Sequence, residues 1–304
     1  MQPYFLLLLS IFCATINNLL LHRFANRGLD SMGDVLLFNA LTSGVWVILL
    51  GGAGALRDNF QFSADSLFWG AAYGCVIALF LLGKMQAMAA GPVSLTSFIG
   101  CSSLLISTAF GVFILNESAS VIQTLGVVLL CGALFLIISP KTADAKPSWK
   151  YWCALFFFGS AATGIIFKLH QRSDAAAQVD EMLLVSAVTS ALMLCAAAVI
   201  MTRRDGRLPK VPSGALGYAF MCGAVGCIYN RLNITLTGTL PSVVFFPLFN
   251  GSVIVLSTLA GVILFGERLN RKQIYGILLG TVALMLASGT VDGIAELISD
   301  ARTL

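Results

Sequence analysis

Two cations lie inside sequence that is otherwise apolar. Lys84 follows Leu79-Phe80-Leu81-Leu82-Gly83, and Arg231 stands in Tyr229-Asn230-Arg231-Leu232-Asn233. A charged side chain deep in a lipid-spanning helix costs about 2.5–3.5 kcal/mol on insertion scales, so such residues are functional candidates by default. Arg presents a planar fork that matches a carboxylate or phosphate, and Lys a point charge. If both face a shared interior, from opposite ends, they would attract an anionic group. The alternative is that both side chains snorkel to the headgroups, as basic residues near helix ends do.

Amides and aromatics add candidates. Asn250 falls between Pro247 and Gly251, where a broken helix would free backbone carbonyls to line a site. Asn18, beside Asn17, lies late in the first apolar stretch, and Tyr229 with Asn230 flanks Arg231 as a possible cavity wall. Each amide has a structural alternative, an interhelical hydrogen bond worth roughly 0.6 kcal/mol. His170 is a candidate proton relay, because an imidazole changes charge near neutral pH, although a histidine at a helix end also suits the negative dipole end. Glu117 and Glu267 are candidate coupling carboxylates. Both directly precede an apolar run, where a carboxylate also satisfies free helix N–H groups.

The elements that position these residues follow from composition. Of 304 residues, 58% are apolar and 11% charged, with mean hydropathy +0.91. Soluble domains carry roughly 25% charged residues, so a water-soluble monomer is excluded. Net charge +4, with no dense basic block, gives no nucleic-acid site. The eight cysteines lie in apolar sequence without CxxC or zinc spacing, so they read as small apolar residues, and no metal or cofactor is expected. Apolar segments fall at roughly 3–22, 32–51, 65–88, 92–115, 119–139, 149–169, 179–201, 213–237, 241–265 and 271–290. Their lengths suit spanning helices, and the ten-residue alternation of barrel strands is absent. The expected fold class is an all-α integral membrane protein of ten transmembrane helices.

An internal repeat organises them. Ser107-Thr108, Gly111-Val112, Glu117, Gln123 and Gly126 recur 150 residues later as Ser257-Thr258, Gly261-Val262, Glu267, Gln273 and Gly276. A weaker echo joins Ala14-Thr15 and Leu21-His22 to Ala162-Thr163 and Leu169-His170. The expected division is a five-helix repeat over 1–140, a linker at 141–148 and a second five-helix repeat over 149–304. An odd number per repeat inverts the second half, an arrangement characteristic of secondary transporters with a midplane site between the halves.

These residues resemble those of the drug/metabolite transporter superfamily, in particular its EamA-type ten-helix members. The resemblance is carried by Gly91-Pro92-Val93-Ser94, Gly111, Asn116-Glu117, Gln123 and Gly126, and in the second half by Pro241-Ser242, Pro247, Gly261, Gly266-Glu267-Arg268, Gln273 and Gly276. Asn116-Glu117-Ser118 departs from the usual Gly-Glu-Arg. The resemblance implies a secondary carrier for a small organic metabolite, anionic or amino-acid-like, moved by alternating access in a plasma membrane. No Walker-type phosphate loop supplies an ATP motor, so proton or counter-substrate coupling is expected. The competing readings are an integral-membrane enzyme, for which HExxH, GxSxG and acidic metal-ligand pairs are lacking, and a non-transporting receptor or assembly subunit. Gly70-xxx-Gly74 and Gly276-xxx-Gly280 permit close helix approach, including that of a homodimer.

Orientation follows from charge. The loops on the side opposite the termini carry thirteen of the eighteen Lys and Arg residues, counting Lys84. The positive-inside rule places those loops in the cytoplasm and the termini outside, whereas the resemblance favours termini inside. Reporters active on one side only, fused to each terminus, decide this: the charge count expects both to report the non-cytoplasmic side.

Overall fold

The computed structural model describes residues 2–25, 31–57, 60–115, 120–137, 145–210, 214–240, 242–266 and 269–287. Eleven α-helices lie among them: α1 (Gln2–Ala25), α2 (Met32–Arg57), α3 (Ala64–Ala90), α4 (Val93–Cys101), α5 (Leu104–Phe113), α6 (Val121–Ile137), α7 (Trp149–Gln171), α8 (Val179–Asp205), α9 (Ala215–Thr239), α10 (Ser242–Phe265) and α11 (Arg271–Ala287). Among the described residues seven stretches are long and apolar enough to cross a bilayer, those in α1, α2, α3, α4–α5, α7, α8 and α10. The chain is a multi-pass membrane protein. Helices form because hydrocarbon offers the backbone no other hydrogen-bond partner. α6 and α11 have 17 residues each. α9 has 25, and Tyr229, Asn230, Arg231 and Asn233 interrupt its apolar sequence.

Helix ends follow local chemistry. Ser63 caps α3, its hydroxyl accepting from Ser66 N while the Ser66 hydroxyl receives Ser63 N. Gly206 ends α8 with φ 62°, a left-handed conformation that glycine adopts without penalty. The fourth apolar stretch breaks at Ser102–Ser103. There the Ser102 hydroxyl donates to Phe98 O at 2.7 Å, and Ser103 N turns to Gly100 O at 3.3 Å in place of the i−4 carbonyl. The expected break near Pro247 does not occur. α10 runs on through that position, and the Asn250 amide bonds the Phe246 carbonyl one turn back at 2.7 Å.

Packing pairs helices that are distant in sequence. α2 lies on α8, α3 on α7 and α8, α9 on α1 and α2, α10 on α4, and α11 on α6. Glycines set the closest approaches. A Cβ at Gly74 would lie 2.5 Å from the Thr189 Cβ and 2.8 Å from Ser186 O on α8; one at Gly223 would lie 2.7 Å from the Val45 Cβ and 2.8 Å from Thr42 O on α2. Gly70 also faces α8, and Gly280 faces Phe98 of α4, so these glycines serve contacts within the chain. The outward faces carry Phe5, Leu8 and Phe12 of α1 and Phe220 of α9, and Cys75 and Cys195 are free and exposed among them. Gly74→Val and Gly223→Val are expected to destabilise by about 1–3 kcal/mol through overpacking. Gly217→Ala, with no atom within 4 Å of the added carbon, should leave the melting temperature in detergent nearly unchanged.

Candidate functional site

Three helices bring polar groups together in the interior. Asn17 and Asn18 of α1, Lys84 of α3, and Tyr229, Asn230 and Asn233 of α9 are all buried. Lys84, 3% exposed, turns inward, and its Nζ donates to Asn17 Oδ1 at 2.8 Å. Asn17 Nδ2 donates onward to the Cys222 carbonyl of α9 at 3.0 Å. The ammonium also faces two aromatic rings, Phe80 at 5.7 Å and Tyr229 at 5.9 Å from their centroids. Rings in this position attract a cation through their quadrupole. Among the described residues no carboxylate lies within 4 Å of it. An ammonium has three donors; one is spent on a neutral amide, and no counter-charge is supplied.

Asn18 ties the same centre to α4 and α10, its Nδ2 reaching Ser97 Oγ and Ser257 Oγ at 3.3 Å each. On α9, Asn233 Oδ1 accepts from the Ser10 hydroxyl at 2.6 Å, and Asn230 Oδ1 accepts from the Tyr73 hydroxyl at 2.8 Å. One turn beyond Tyr229, Asn233 reaches a cavity of about 70 Å³ shared with Ser103, Ser107, Ser160, Thr163 and Asn250, walled by Phe245, Phe246 and Phe249. The Ser103 hydroxyl spans α5 and α7 by donating to Ser160 Oγ at 2.8 Å. This cavity is large enough for two waters or a small polar group.

Of the residues singled out from sequence, the structure gathers Lys84, Tyr229 and Asn18 in the centre and places Asn250 on the small cavity. Asn230 is spent on Tyr73 and on Gly226 O of its own helix. Arg231 is the correction. It does not face Lys84: its side chain is 47% exposed and clamped to Asp180 of α8, Nε to Oδ1 at 2.5 Å and Nη2 to Oδ2 at 3.0 Å. The guanidinium fork, read as free to take a substrate anion, finds a carboxylate of matching geometry at the start of the preceding helix. This pair lines a separate cleft of about 810 Å³ between α2, α8 and α9. Lys84 also leaves the count of loop cations, since it lies within α3. His170 is buried, with Nδ1 3.3 Å from Gln171 Nε2 and Nε2 unpartnered among the described residues. Glu117 and Glu267 lie outside the described residues. Ser10, Ser97, Ser160 and Thr163 were missed from sequence. Their signal was present as small hydroxyls at helical spacing inside apolar runs, such as Ser160 and Thr163.

Comparison with solved structures finds 28 chains of similar fold. One, a crystal structure described only as that of a protein, superposes with TM-score 0.63 at 14% identity, covering 94% of this chain and 96% of that one. That likeness establishes the fold alone. No family model and no curated protein matches the sequence.

The two cations should separate in a stability assay. Arg231→Ala removes a half-exposed ion pair worth about 0.2–1 kcal/mol. Lys84→Met removes a buried charge that has no counter-charge, replacing it with an apolar side chain of similar length; it is expected to raise the melting temperature. A lysine kept for stability would give a fall instead.

Proposed function

We propose that the chain is a secondary carrier of the EamA type, moving a small organic anion, such as a carboxylate, through a plasma membrane by alternating access. Buried Lys84 is the observation that carries this reading. A charge held without a counter-charge is expensive, and a protein that retains one at its centre gains where a ligand completes it. The Asn17 amide and the faces of Phe80 and Tyr229 orient the ammonium, and a bound carboxylate would take its remaining donors in charge-assisted hydrogen bonds. Asn18, Ser97 and Ser257 offer neutral groups beside it, and Asn250 a further one at the small cavity.

In this reading α4 and α5 are the two parts of one crossing, giving ten in two inverted repeats, α1 to α6 and α7 to α11, joined by the linker at 141–148. Two features favour it. Exchanging the halves turns α1 into α7, α2 into α8, α3 into α9, α4–α5 into α10 and α6 into α11. Under that exchange the packing of α3 on α7 becomes that of α9 on α1, and α3 on α8 becomes α9 on α2; the α2–α8, α4–α10 and α6–α11 contacts map onto themselves. The glycines agree, since Gly74 against α8 and Gly223 against α2 stand 149 residues apart in equivalent contacts. Nothing in the sequence supplies an ATP motor, so a proton or counter-substrate gradient drives the cycle.

Flux into sealed proteoliposomes tests the proposal, with radiolabelled small carboxylates, zwitterions and amines supplied in parallel. Saturable uptake of carboxylates is expected, lost in Lys84→Met and retained in Arg231→Ala. Binding without movement of any solute would overturn the carrier reading. Uptake unchanged in Lys84→Met would overturn the assignment of the site.

A further inference from the structure

α2 and α8 pack as an antiparallel pair: the start of α2 lies beside the chain leaving the end of α8, and the start of α8 lies beside the chain leaving the end of α2. Each helix carries a carboxylate in its first turn, Asp34 on α2 and Glu181 on α8. A first-turn carboxylate usually satisfies its own helix N-terminus. Both of these also reach across to the other half of the chain. Asp34 Oδ1 accepts the backbone N–H of Lys210, in the segment between α8 and α9, at 2.6 Å. Glu181 Oε1 accepts the backbone N–H of Gln61, in the segment between α2 and α3, at 3.1 Å. The two carboxylates are 147 positions apart and the two donors 149. Exchange of the halves therefore carries one bond onto the other.

Each bond has support on its own face. Asp34 is 1% exposed; its Oδ2 takes Ser31 N at 3.1 Å and has Arg207 Nη2 at 3.6 Å. Beside Glu181, the Ser63 hydroxyl, which caps α3, donates to Gln178 Oε1 at the start of α8 at 2.7 Å. The neighbouring Asp180 is occupied within its own half by Arg231. α2 is 26 residues long, about 39 Å at 1.5 Å per residue, so the two bonds lie at opposite ends of a span that crosses the whole bilayer.

We infer that Asp34 and Glu181 are paired latches, each closing one face of the carrier by accepting a backbone N–H from the opposite half, Lys210 and Gln61 respectively. The inference rests on the carrier reading and adds to it the residues that alternate. Opening toward the Lys210 face separates Asp34 from Lys210 while the Glu181–Gln61 bond persists, and opening toward the Gln61 face does the converse. A carboxylate–amide bond suits this role, because it is strong when made and both groups return to water when it breaks.

The test uses the full chain in oriented vesicles, with Ser160→Cys as a reporter in the small cavity. The parent protein lacking that reporter gives the background from its own cysteines, and an impermeant maleimide is applied from each side. Lys210→Pro and Gln61→Pro remove the donor N–H at non-helical positions and leave the acids in place. Asp34→Asn and Glu181→Gln weaken the acceptors and leave the loops. Lys210→Pro should raise labelling from the Lys210 face about tenfold, the factor that follows from losing one hydrogen bond to a charged group, and lower it from the other face. Gln61→Pro should do the reverse, and each isosteric acid variant should follow its own latch with a smaller change. If variants at both faces shift labelling in the same direction, or neither shifts it, the bonds are fixed struts and the inference falls. A variant that does not fold is identified by its melting curve, and the other variant on that face then decides. Failure of the carrier reading is a different result: wild-type flux would be absent, whatever the labelling pattern.

Discussion

The polar contacts where α1, α3 and α9 meet are arranged around the Lys84 ammonium, which the fold buries almost completely. Lys84 sits on α3 with its side chain directed inward, and hydrocarbon or apolar protein surrounds most of the helix that bears it. A charge in that position must be met by dipoles, and the nearest are supplied by α1 and α9. Asn17 accepts from Lys84 and donates one N–H to the Cys222 carbonyl, so one amide fixes three helices to one another. Tyr229 and Phe80 add aromatic faces where a carboxylate would otherwise be needed. The neighbouring Asn18 repeats the device toward α4 and α10. Polar side chains in lipid therefore act as the registry of the bundle, because each wrong arrangement would leave one of them unpaired.

Small residues set the closest approaches around that centre, α3 on α8 and α9 on α2. Gly70, Gly74 and Gly223 remove the side chains that would hold those axes apart. α4 and α5 part at two adjacent serines, whereas α10 is continuous. The break turns Ser103 toward Ser160, which opens the polar end of the small cavity.

Sequence made the frame legible and the pairings only partly so. Composition and segment length gave an all-helical membrane protein, because charge depletion and the bilayer's thickness are properties of the chain alone. Lys84 and Asn18 were visible because a polar residue in an apolar run is costly wherever it points. Arg231 was misplaced by the same reasoning. Its cost is met by Asp180, 51 residues earlier, and no local pattern reveals that α8 and α9 align these two positions. Asn250 was found for the wrong reason: α10 does not break beside it, and its amide satisfies its own helix. Ser10, Ser97 and Ser160 escaped notice because serine in a lipid-spanning helix usually bonds its own i−4 or i−3 carbonyl, as Ser102, Ser186 and Ser190 do here. Which serine turns outward is decided by the helix opposite it.

The same argument bears on why the two cations have separate fates. A guanidinium and a carboxylate at the edge of a wide cleft can be hydrated whenever they part, so Arg231 and Asp180 form a pair of modest worth that is free to break. Lys84 has no such refuge. Its environment provides enough attraction to keep it in place, but among the described residues it stops short of a neutralising acid. Had α1 carried Asp in place of Asn17, the ammonium would be fully paired and the bundle more comfortable, but a ligand anion would then have to displace a resident one. An amide at this position holds the charge in register and leaves it in need of a partner, which is the condition a binding site for a passing anion must meet.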